Sequence, residues 1–297
     1  MNLALSFNGG KESLVILHQY IKICKIIFNV ENENDFPEII KYVKYITKLW
    51  NIKLLSFKNM KESITILKEK YQINIVILGC RKTDPHCEKL PIISPTDRDW
   101  PFILRFNPLL DWTYIDVWDY IEQFKLPVCS LYEKGFTSIG DKTNSFPNYH
   151  LFKEKFLHAK YLQNISTERE GRIKTKLPFT FIGKVIRGKG RGKQLGFPTA
   201  NMNSLIAIDE GVYYGTCILK NEEYKIVMSV GTNLHFCDDN IINIEVHLLH
   251  IFPTDFYNEE LKVTIQGYIR KMMKFSDINS LISAIHTDIK LSRYFYS

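Results

Sequence analysis

The chain has 297 residues, of which 45% are hydrophobic and 24% are charged, and its formal net charge is +7. These values are normal for a globular protein of one large or two ordinary domains. No apolar run approaches the length of a membrane span, and none of the six cysteines forms a C-x-x-C pair, so neither a membrane protein nor a zinc or redox motif is indicated. The first strand begins within a few residues of Met1, which leaves no room for a cleavable signal peptide, and we expect a cytoplasmic protein.

Strand and helix patterns alternate in the first part of the chain. One helical pattern opens at Pro37 and carries a 3.6-residue apolar period. Repeated βα units with short links predict a parallel, doubly wound sheet, in which ligands bind beyond the carboxyl ends of the strands. Strands are expected at residues 3–7, 26–30, 52–57 and 73–79, and helices at 11–25, from 37 onward, and at 61–71.

The periodicity stops between residues 81 and 111, where Pro, Asp and Arg are frequent. A segment this long without regular structure is usually functional or disordered, and its aromatic and apolar residues argue against disorder. Thr113 and Asp116 then have the spacing of a capping box, which predicts the start of a further helix.

The pattern changes after the polar stretch 164–178. Four strand-like runs follow without helices between them, which suggests an antiparallel barrel or sandwich, and one amphipathic helix ends the chain. We expect one domain over residues 1–172 and a second over 173–297, each with its own apolar core. A piece that starts near Ile173 is therefore expected to fold alone.

The first βα turn carries the sequence Asn8-Gly9-Gly10-Lys11. The amides of a Gly-Gly turn and a helix N-terminus form an anion site, to which a lysine adds charge. The turn is not a Walker A loop, because Leu5 stands where that motif needs a glycine. On these residues alone, a phosphate site and a plain tight turn are equally supported.

Four motifs in this half resemble, in order, the eukaryotic-type FMN adenylyltransferase (FAD synthetase) family. They lie between residues 3 and 172 and read SFNGGKES, GCRKTDP, SPTDRDWP and the run that begins NPLLDWTYIDVWDYI. The resemblance implies the fold of the phosphoadenylyl-sulfate reductases and related ATP pyrophosphatases. It also implies that AMP passes from ATP to FMN and that pyrophosphate leaves.

The resemblance also implies which residues form this site. Asp84 and Asp97 fall where the family has binding and catalytic carboxylates, and Arg169 and Arg172 resemble an arginine pair that closes the site. The family usually has Asp where this chain has Glu12, which keeps the charge on a side chain longer by one methylene. The pyrophosphate part of ATP is assigned to Asn8, Gly9, Gly10, Lys11, Glu12 and Ser13, with Lys11 also catalytic.

A second glycine-rich run, RGKGRGKQLGFPTAN at 187–201, combines backbone that can approach phosphate with basic side chains. With the segments that follow it, as far as residue 295, it resembles the riboflavin kinase family, whose fold is a small Greek-key β-barrel. The resemblance implies phosphorylation of riboflavin by ATP. It places Thr199 and Asn201 at Mg²⁺ and ATP, Glu245 as the catalytic base, Arg270 at the flavin, and Gly188, Gly190, Gly192 and Lys193 at ATP.

Glu245 has a different interpretation without the resemblance. The run INIEVHLLH alternates, with Ile244 and Val246 on one face and Glu245 on the other, which is typical of a solvent-facing strand residue. Leu234 and Met272 depart from the riboflavin kinase pattern, which usually has proline at the first position and commonly an acid at the second.

Together these signals predict a two-reaction enzyme that makes FMN from riboflavin and FAD from FMN, using ATP and Mg²⁺, without a nucleic-acid or membrane partner. The basic run 172–193 lacks the interleaved aromatic residues of a nucleic-acid module. A sulfur-transferring ATP pyrophosphatase or sulfate reductase would need reactive cysteines. A flavin-binding protein with only the kinase half active is the main alternative, since Glu12 and Met272 depart from the family patterns. The oligomeric state is not predicted.

Overall fold

The computed structural model describes residues 2–204, 206–232 and 242–296, and it divides the chain into two compact units. The first unit comprises Met1–Gly135 and Leu157–Ser166, and the second comprises Phe136–Phe156 and Thr167–Ser297. The compact units therefore do not separate at residue 172, although a division of function between residues 172 and 173 stays a prediction.

A six-stranded sheet forms the centre of the first unit, with strand order β3-β2-β1-β4-β6-β5. All neighbours are parallel except β5, which runs antiparallel to β6, so the expected doubly wound parallel sheet is confirmed. The strands are β1 (Leu3–Ser6), β2 (Ile26–Val30), β3 (Leu54–Phe57), β4 (Ile75–Ile77), β5 (Ile93–Pro95) and β6 (Leu104–Phe106), and the helices are α1 (Lys11–Tyr20), α2 (Pro37–Leu49), α3 (Met60–Glu69) and α4 (Tyr114–Gln123).

Local signals account for the starts of three of these helices. Pro37 occupies the first helical position of α2, where its missing N–H costs nothing. The Asn59 side chain accepts a hydrogen bond from Glu62 N at the start of α3. The capping box expected at α4 is present, since Thr113 Oγ1 accepts from Asp116 N and the Asp116 carboxylate accepts from Thr113 N.

Two expectations for the first unit are wrong. The stretch 81–111 contains β5 and β6, each of three residues, which is too short to show a period in the sequence. Strand β6 exists because it pairs with β4, where Ile75 lies opposite Leu104, and such a contact between distant residues leaves no local pattern. Helix α1 ends at Tyr20, five residues earlier than the expected Lys25.

The second unit is a closed antiparallel barrel with strand order β10-β11-β8-β7-β12-β9, which confirms the expected barrel. A last helix, α6 (Ile278–Phe295), follows the strands, and a one-turn helix, α5 (Arg191–Gln194), lies within the glycine-rich run. The strands are β7 (Phe179–Ile186), β8 (Ala200–Asn203), β9 (Gly211–Leu219), β10 (Glu222–Thr232), β11 (Ile242–Leu248) and β12 (Glu260–Arg270).

The segment 136–156 packs with the barrel rather than with the parallel sheet. Phe146 belongs to the buried barrel core, and its ring centroid lies 6.2 Å from that of Tyr268. Its backbone N–H donates to the carbonyl of Gly171, which ties the segment to the chain just before β7. The barrel core therefore includes residues that precede the polar stretch 164–178, where the sequence predicts the domain boundary.

No helix among the described residues has both the length and the apolar character needed to cross a bilayer. Five cysteines fall within the described ranges and are free thiols. Cys237 and Leu234 lie outside the described residues.

Phe146→Ala tests whether this residue belongs to the barrel core. Removing a phenyl ring that is 8% exposed should lower the free energy of unfolding by about 3–5 kcal/mol, because the ring leaves a cavity. Phe102, which is 66% exposed, supplies the matched control, and its change to alanine should stay within about 0.5 kcal/mol. Urea unfolding followed by circular dichroism measures both. Equal effects of the two changes would show that Phe146 is not a core residue.

Candidate functional site

The loop after β1 is shaped by contacts of its own residues. Gly9 has a φ of +82°, and a Cβ at this position would lie 3.0 Å from Val43 Cγ2 in α2, so a side chain would be both strained and crowded. Asn8 Oδ1 accepts from Gly10 N at 3.0 Å, and Ser13 Oγ donates to the Gly10 carbonyl at 2.8 Å. The loop therefore meets the N-terminus of α1 at the carboxyl end of β1, where backbone amides and the helix dipole favour an anion.

Lys11 is buried at the base of this loop, with a side chain that is 2% exposed. Its Nζ lies 2.9 Å from Glu12 Oε1 and 5.0 Å from the ring centroid of Tyr114, and its backbone N–H donates to the Tyr132 hydroxyl at 2.8 Å. The sequence did not single out either tyrosine, since they lie more than a hundred residues further along the chain. Both rings lie within cation–π range of the ammonium group.

Glu12 joins two buried cations. Its Oε1 lies 3.1 Å from Arg81 Nε as well as 2.9 Å from Lys11 Nζ. Burial alone would raise the pKa of Glu12, but the charges of Lys11 and Arg81 together hold it below its ordinary value. One carboxylate thus contacts both cations, and Arg81 is a site residue that the sequence reasoning missed.

The two expected carboxylates occupy different surroundings. Asp84 accepts a hydrogen bond from Arg81 N at 2.9 Å and so lies beside the Lys11–Glu12–Arg81 cluster. Asp97 follows β5, is 71% exposed, and pairs with Arg105 Nη2 at 3.4 Å. The structure therefore brings Asp84 to the cluster through Arg81 and places Asp97 on a neighbouring loop.

Arg169 and Arg172 lie in the second compact unit. Arg169 Nη1 is 3.4 Å from Ser138 Oγ, and the Arg172 guanidinium packs over Gly140. Their assignment to the site of the first unit stays a prediction.

Two adjoining cavities open on the barrel. One of about 400 Å³ is polar and basic, and is lined by the glycine-rich run with Gly188, Lys189, Gly190, Arg191, Gly192 and Lys193. The other, of about 530 Å³, is mainly apolar, and its walls include Val212, Val227, Met272, Leu281, Ile285 and Ile289. Five residues line both, namely Arg191, Gly192, Thr199, Asn243 and Glu245. The cavities therefore share a wall.

Glu245 stands in this shared wall on β11. Antiparallel pairing sets it opposite Asn201 of β8 and opposite Ser229 of β10, and Thr199 Oγ1 donates to its Oε2 at 3.1 Å. The predicted alternation is confirmed, since Ile244 is buried in the barrel core. Its polar face borders the two cavities, and Glu245 is half-buried, so the interpretation as an ordinary solvent-facing residue is not supported.

The glycine-rich run approaches β8 closely. A Cβ at Gly188 would lie 2.2 Å from Asn201 Nδ2, so a larger residue there would displace the Asn201 side chain. Lys193 Nζ lies 3.5 Å from Asp255 Oδ1, and both side chains are exposed. Asn201 and Lys193 both line the basic cavity, and their assignment to ATP stays a prediction.

Arg270 lies in the wall of the apolar cavity and is 5% exposed. It makes a bidentate ion pair with Asp288 of α6, with Nε at 2.9 Å and Nη2 at 2.7 Å from the two carboxylate oxygens. Its Nη1 donates to the Lys271 carbonyl at 3.0 Å. The assignment of Arg270 to the flavin stays a prediction, and the sequence did not point to Asp288.

Comparison with known proteins gives matches in both halves. The family model described as riboflavin kinase matches residues 175–296. The family model described as phosphoadenosine phosphosulfate reductase domain matches residues 2–68 and 62–147.

Curated relatives match one part or the other. The probable FAD synthase of Schizosaccharomyces pombe is 33% identical over 196 residues, which cover 60% of this chain and 74% of that protein. The riboflavin kinase of Homo sapiens is 41% identical over 122 residues, which cover 38% of this chain and 78% of that protein. The probable FAD synthase of Caenorhabditis elegans is 36% identical over 186 residues and 56% of this chain, and the match spans only 36% of that protein.

Two solved structures match this chain over somewhat more than half of its length. The FMN adenylyltransferase of Candida glabrata has a TM-score of 0.53 at 24% identity, over 59% of this chain and 80% of that chain. Yeast FAD synthetase in complex with FAD has a TM-score of 0.51 at 25% identity, over 58% of this chain and 81% of that chain. This chain belongs to the FAD synthase family through one part of its length and to the riboflavin kinase family through another.

Glu12→Gln removes the charge between Lys11 and Arg81. The folded-state pKa of Glu12 lies below the unfolded value of 4.5, so its contribution to stability is complete above that pH and is lost as the pH falls through the folded-state pKa. We expect the variant to be less stable by about 3 kcal/mol at neutral pH, with a difference that shrinks in acid.

Urea unfolding over a pH series measures this difference. Glu69→Gln, at an exposed position of α3, serves as the control and should change stability by less than about 0.5 kcal/mol at every pH. A Glu12→Gln difference that does not change between neutral and acidic pH would contradict the ion-pair assignment.

Proposed function

We propose that this chain carries out two successive reactions of FAD formation. The barrel unit transfers the γ-phosphoryl group of ATP to the ribityl 5′-hydroxyl of riboflavin and gives FMN. The first unit transfers AMP from ATP to the phosphate of FMN and gives FAD and pyrophosphate. The observation that carries the proposal is the wall shared by the two barrel cavities, where Glu245 stands between an apolar space and a basic one.

The two cavities fit the two substrates of the kinase reaction. An apolar cavity of about 530 Å³ suits the isoalloxazine ring, and the basic glycine-rich run suits a polyphosphate. With riboflavin in one cavity and ATP in the other, the hydroxyl and the γ-phosphorus meet at the shared wall. Glu245 then takes the hydroxyl proton as the O–P bond forms and the bond to ADP breaks, while Thr199 holds the carboxylate in position.

Mg²⁺ is proposed to bind with ATP at Thr199 and Asn201. Both side chains offer oxygen atoms on the basic cavity, and oxygen is the ligand that Mg²⁺ prefers. Within the described residues no group of three or more His, Cys, Asp or Glu side chains could hold a metal ion. When bound, the ion neutralises charge on the phosphates.

The first unit is proposed to bind the phosphates of the second ATP at residues 8–13. The phosphate of FMN attacks the α-phosphorus, and the bond to pyrophosphate breaks. Lys11 neutralises charge on the phosphates and Glu12 holds Lys11 and Arg81, so the departure from the family's aspartate is compatible with activity. Asp84 and Asp97 are proposed to orient substrate or Mg²⁺, and Arg169 and Arg172 to contribute cations.

Three thiols among the described residues do not favour the sulfate-reductase alternative. Burial raises the pKa of Cys24 to about 11 and that of Cys80 and Cys217 to about 12, so these groups are poor thiolates at neutral pH. If only the kinase half is active, as in the flavin-binding alternative, FMN forms from riboflavin but no FAD forms from FMN. The following two variants separate this alternative from the two-reaction enzyme.

Lys11→Met tests the adenylylation site. The methionine keeps an unbranched chain in the buried position but removes the charge that meets the phosphates. FAD formation from supplied FMN and ATP should fall by about 10²–10³-fold, and FMN formation from riboflavin should be nearly unchanged. Chromatography that resolves the flavins measures both rates. A parallel fall of both activities in a variant that melts like the parent would contradict two separate sites.

Glu245→Gln tests the kinase site. Glutamine keeps the size and the hydrogen bond with Thr199 but cannot accept the proton, so FMN formation should fall by about 10²–10⁴-fold, equivalent to roughly 3–5 kcal/mol in the barrier. Binding of ATP and riboflavin should change much less, because the lost interaction acts in the transition state.

The same kinetic assays supply the controls for this variant. Adenylylation of supplied FMN should continue at the parental rate. Glu223→Gln, at an exposed position of β10, should be silent in both reactions. A Glu245→Gln variant as active as Glu223→Gln would remove Glu245 from the mechanism.

A further inference from the structure

The Arg270–Asp288 pair joins two walls of the apolar cavity. Arg270 ends β12 and leads into residues 271–277, of which Met272, Met273 and Phe275 line the cavity. Asp288 lies on α6, whose residues Leu281, Ile285 and Ile289 line the opposite wall. The bidentate pair therefore sets the distance between the strand end and the helix.

Tyr149 covers this pair from a part of the chain that precedes the barrel strands. It lies in segment 136–156, and its ring centroid is 5.6 Å from Arg270 Cζ, within cation–π range. Burial raises the pKa of Tyr149, the Asp288 charge raises it further, and the Arg270 charge lowers it. Tyr149 therefore interacts electrostatically with both members of the pair. Tyr149 does not line either cavity.

A second contact reaches the same wall. Glu170 Oε1 lies 3.6 Å from Lys271 Nζ, next to Arg270, and the other oxygen of Glu170 lies 2.9 Å from His150 Nε2. His150 is the neighbour of Tyr149, so this segment is linked to Lys271 through Glu170 as well as to Arg270 directly. Both links reach the residues that lead into the 271–277 wall.

We propose that Tyr149 is a positioning residue of the riboflavin site. It acts through Arg270 and Asp288, whose pair holds the two walls of the apolar cavity, and it does not itself touch the substrate. This inference rests on the proposed kinase function. Neither Tyr149 nor the segment that carries it falls within residues 175–296, which match the riboflavin kinase model.

The expected defect is specific to riboflavin. Arg270, Met272 and Phe275 line the apolar cavity but not the basic one, so loss of the ring should disturb the flavin site and leave the ATP site intact. Tyr149→Leu exposes one side of a buried guanidinium and removes the cation–π contact. Tyr149→Phe keeps the ring and its cation–π contact but removes the hydroxyl, which has side-chain hydrogen bonds with Thr287 and Arg270, so its defect should be smaller than that of Tyr149→Leu.

The test uses the full chain with Tyr149→Leu, Tyr149→Phe and the control Phe152→Leu. Phe152 belongs to the same segment and packs against Tyr294 of α6 at 5.7 Å between ring centroids, away from Arg270. Equilibrium dialysis gives the Kd for riboflavin without turnover, steady-state kinetics give KM for riboflavin and for ATP, and melting curves report folding. Tyr149→Leu should raise the riboflavin Kd and KM about tenfold, with the KM for ATP and the kcat nearly unchanged.

The outcomes separate this inference from the proposed function. Phe152→Leu should leave the riboflavin Kd at the parental value, even though it lowers the melting temperature, and Tyr149→Phe should raise the Kd less than Tyr149→Leu does. The inference is overturned if Tyr149→Leu binds riboflavin normally, if it weakens riboflavin and ATP equally, or if Phe152→Leu has the same effect. A parent that binds riboflavin but makes no FMN overturns the kinase proposal alone, since the Kd comparison still decides the role of Tyr149. A parent that binds no riboflavin overturns both.

Discussion

A charge that leaves water is costly unless an opposite charge meets it, and both units of this chain are built around that constraint. In the first unit the buried Lys11 and Arg81 share the carboxylate of Glu12. In the second, Arg270 and Asp288 meet in a bidentate pair. Each cluster joins elements that are remote in sequence, so the same contacts that neutralise the charges also hold the walls of the candidate sites together.

The proposed phosphate chemistry gives a reason for the presence of such costly groups. Polyphosphate substrates need cations that do not have to reorganise during the reaction, and a cation fixed by a carboxylate and enclosed by aromatic rings meets that need. The Lys11 ammonium, close to Tyr114 and bonded to Glu12, has this arrangement. In the barrel the proposed base is positioned differently, because strand register sets Glu245 opposite Asn201 and it lies in the wall between the cavities.

The packing of the chain does not follow its family matches. The phosphoadenosine phosphosulfate reductase model extends to residue 147, yet Phe146 lies in the barrel core and Tyr149 covers the Arg270–Asp288 pair. Composition places the boundary at the polar stretch 164–178, because polar residues indicate exposure to solvent. Composition does not indicate which of two cores a buried side chain packs into. The barrel unit consequently includes residues that neither its strand pattern nor its glycine-rich motif marks.

Features that depend on neighbours along the chain could be predicted from the sequence. The Gly-Gly-Lys loop, the capping box at Thr113, the alternation around Glu245 and the glycine-rich run all follow from hydrogen bonds and periodicities that span a few residues, and motif order was enough for the two families. Other features became visible only in the folded chain. The three-residue strands β5 and β6, the bridging role of Glu12, the tyrosines around Lys11 and the partner of Arg270 depend on contacts between distant residues. A short strand or a buried charge has no local signal, because its stability comes from a partner that the chain supplies only when it folds.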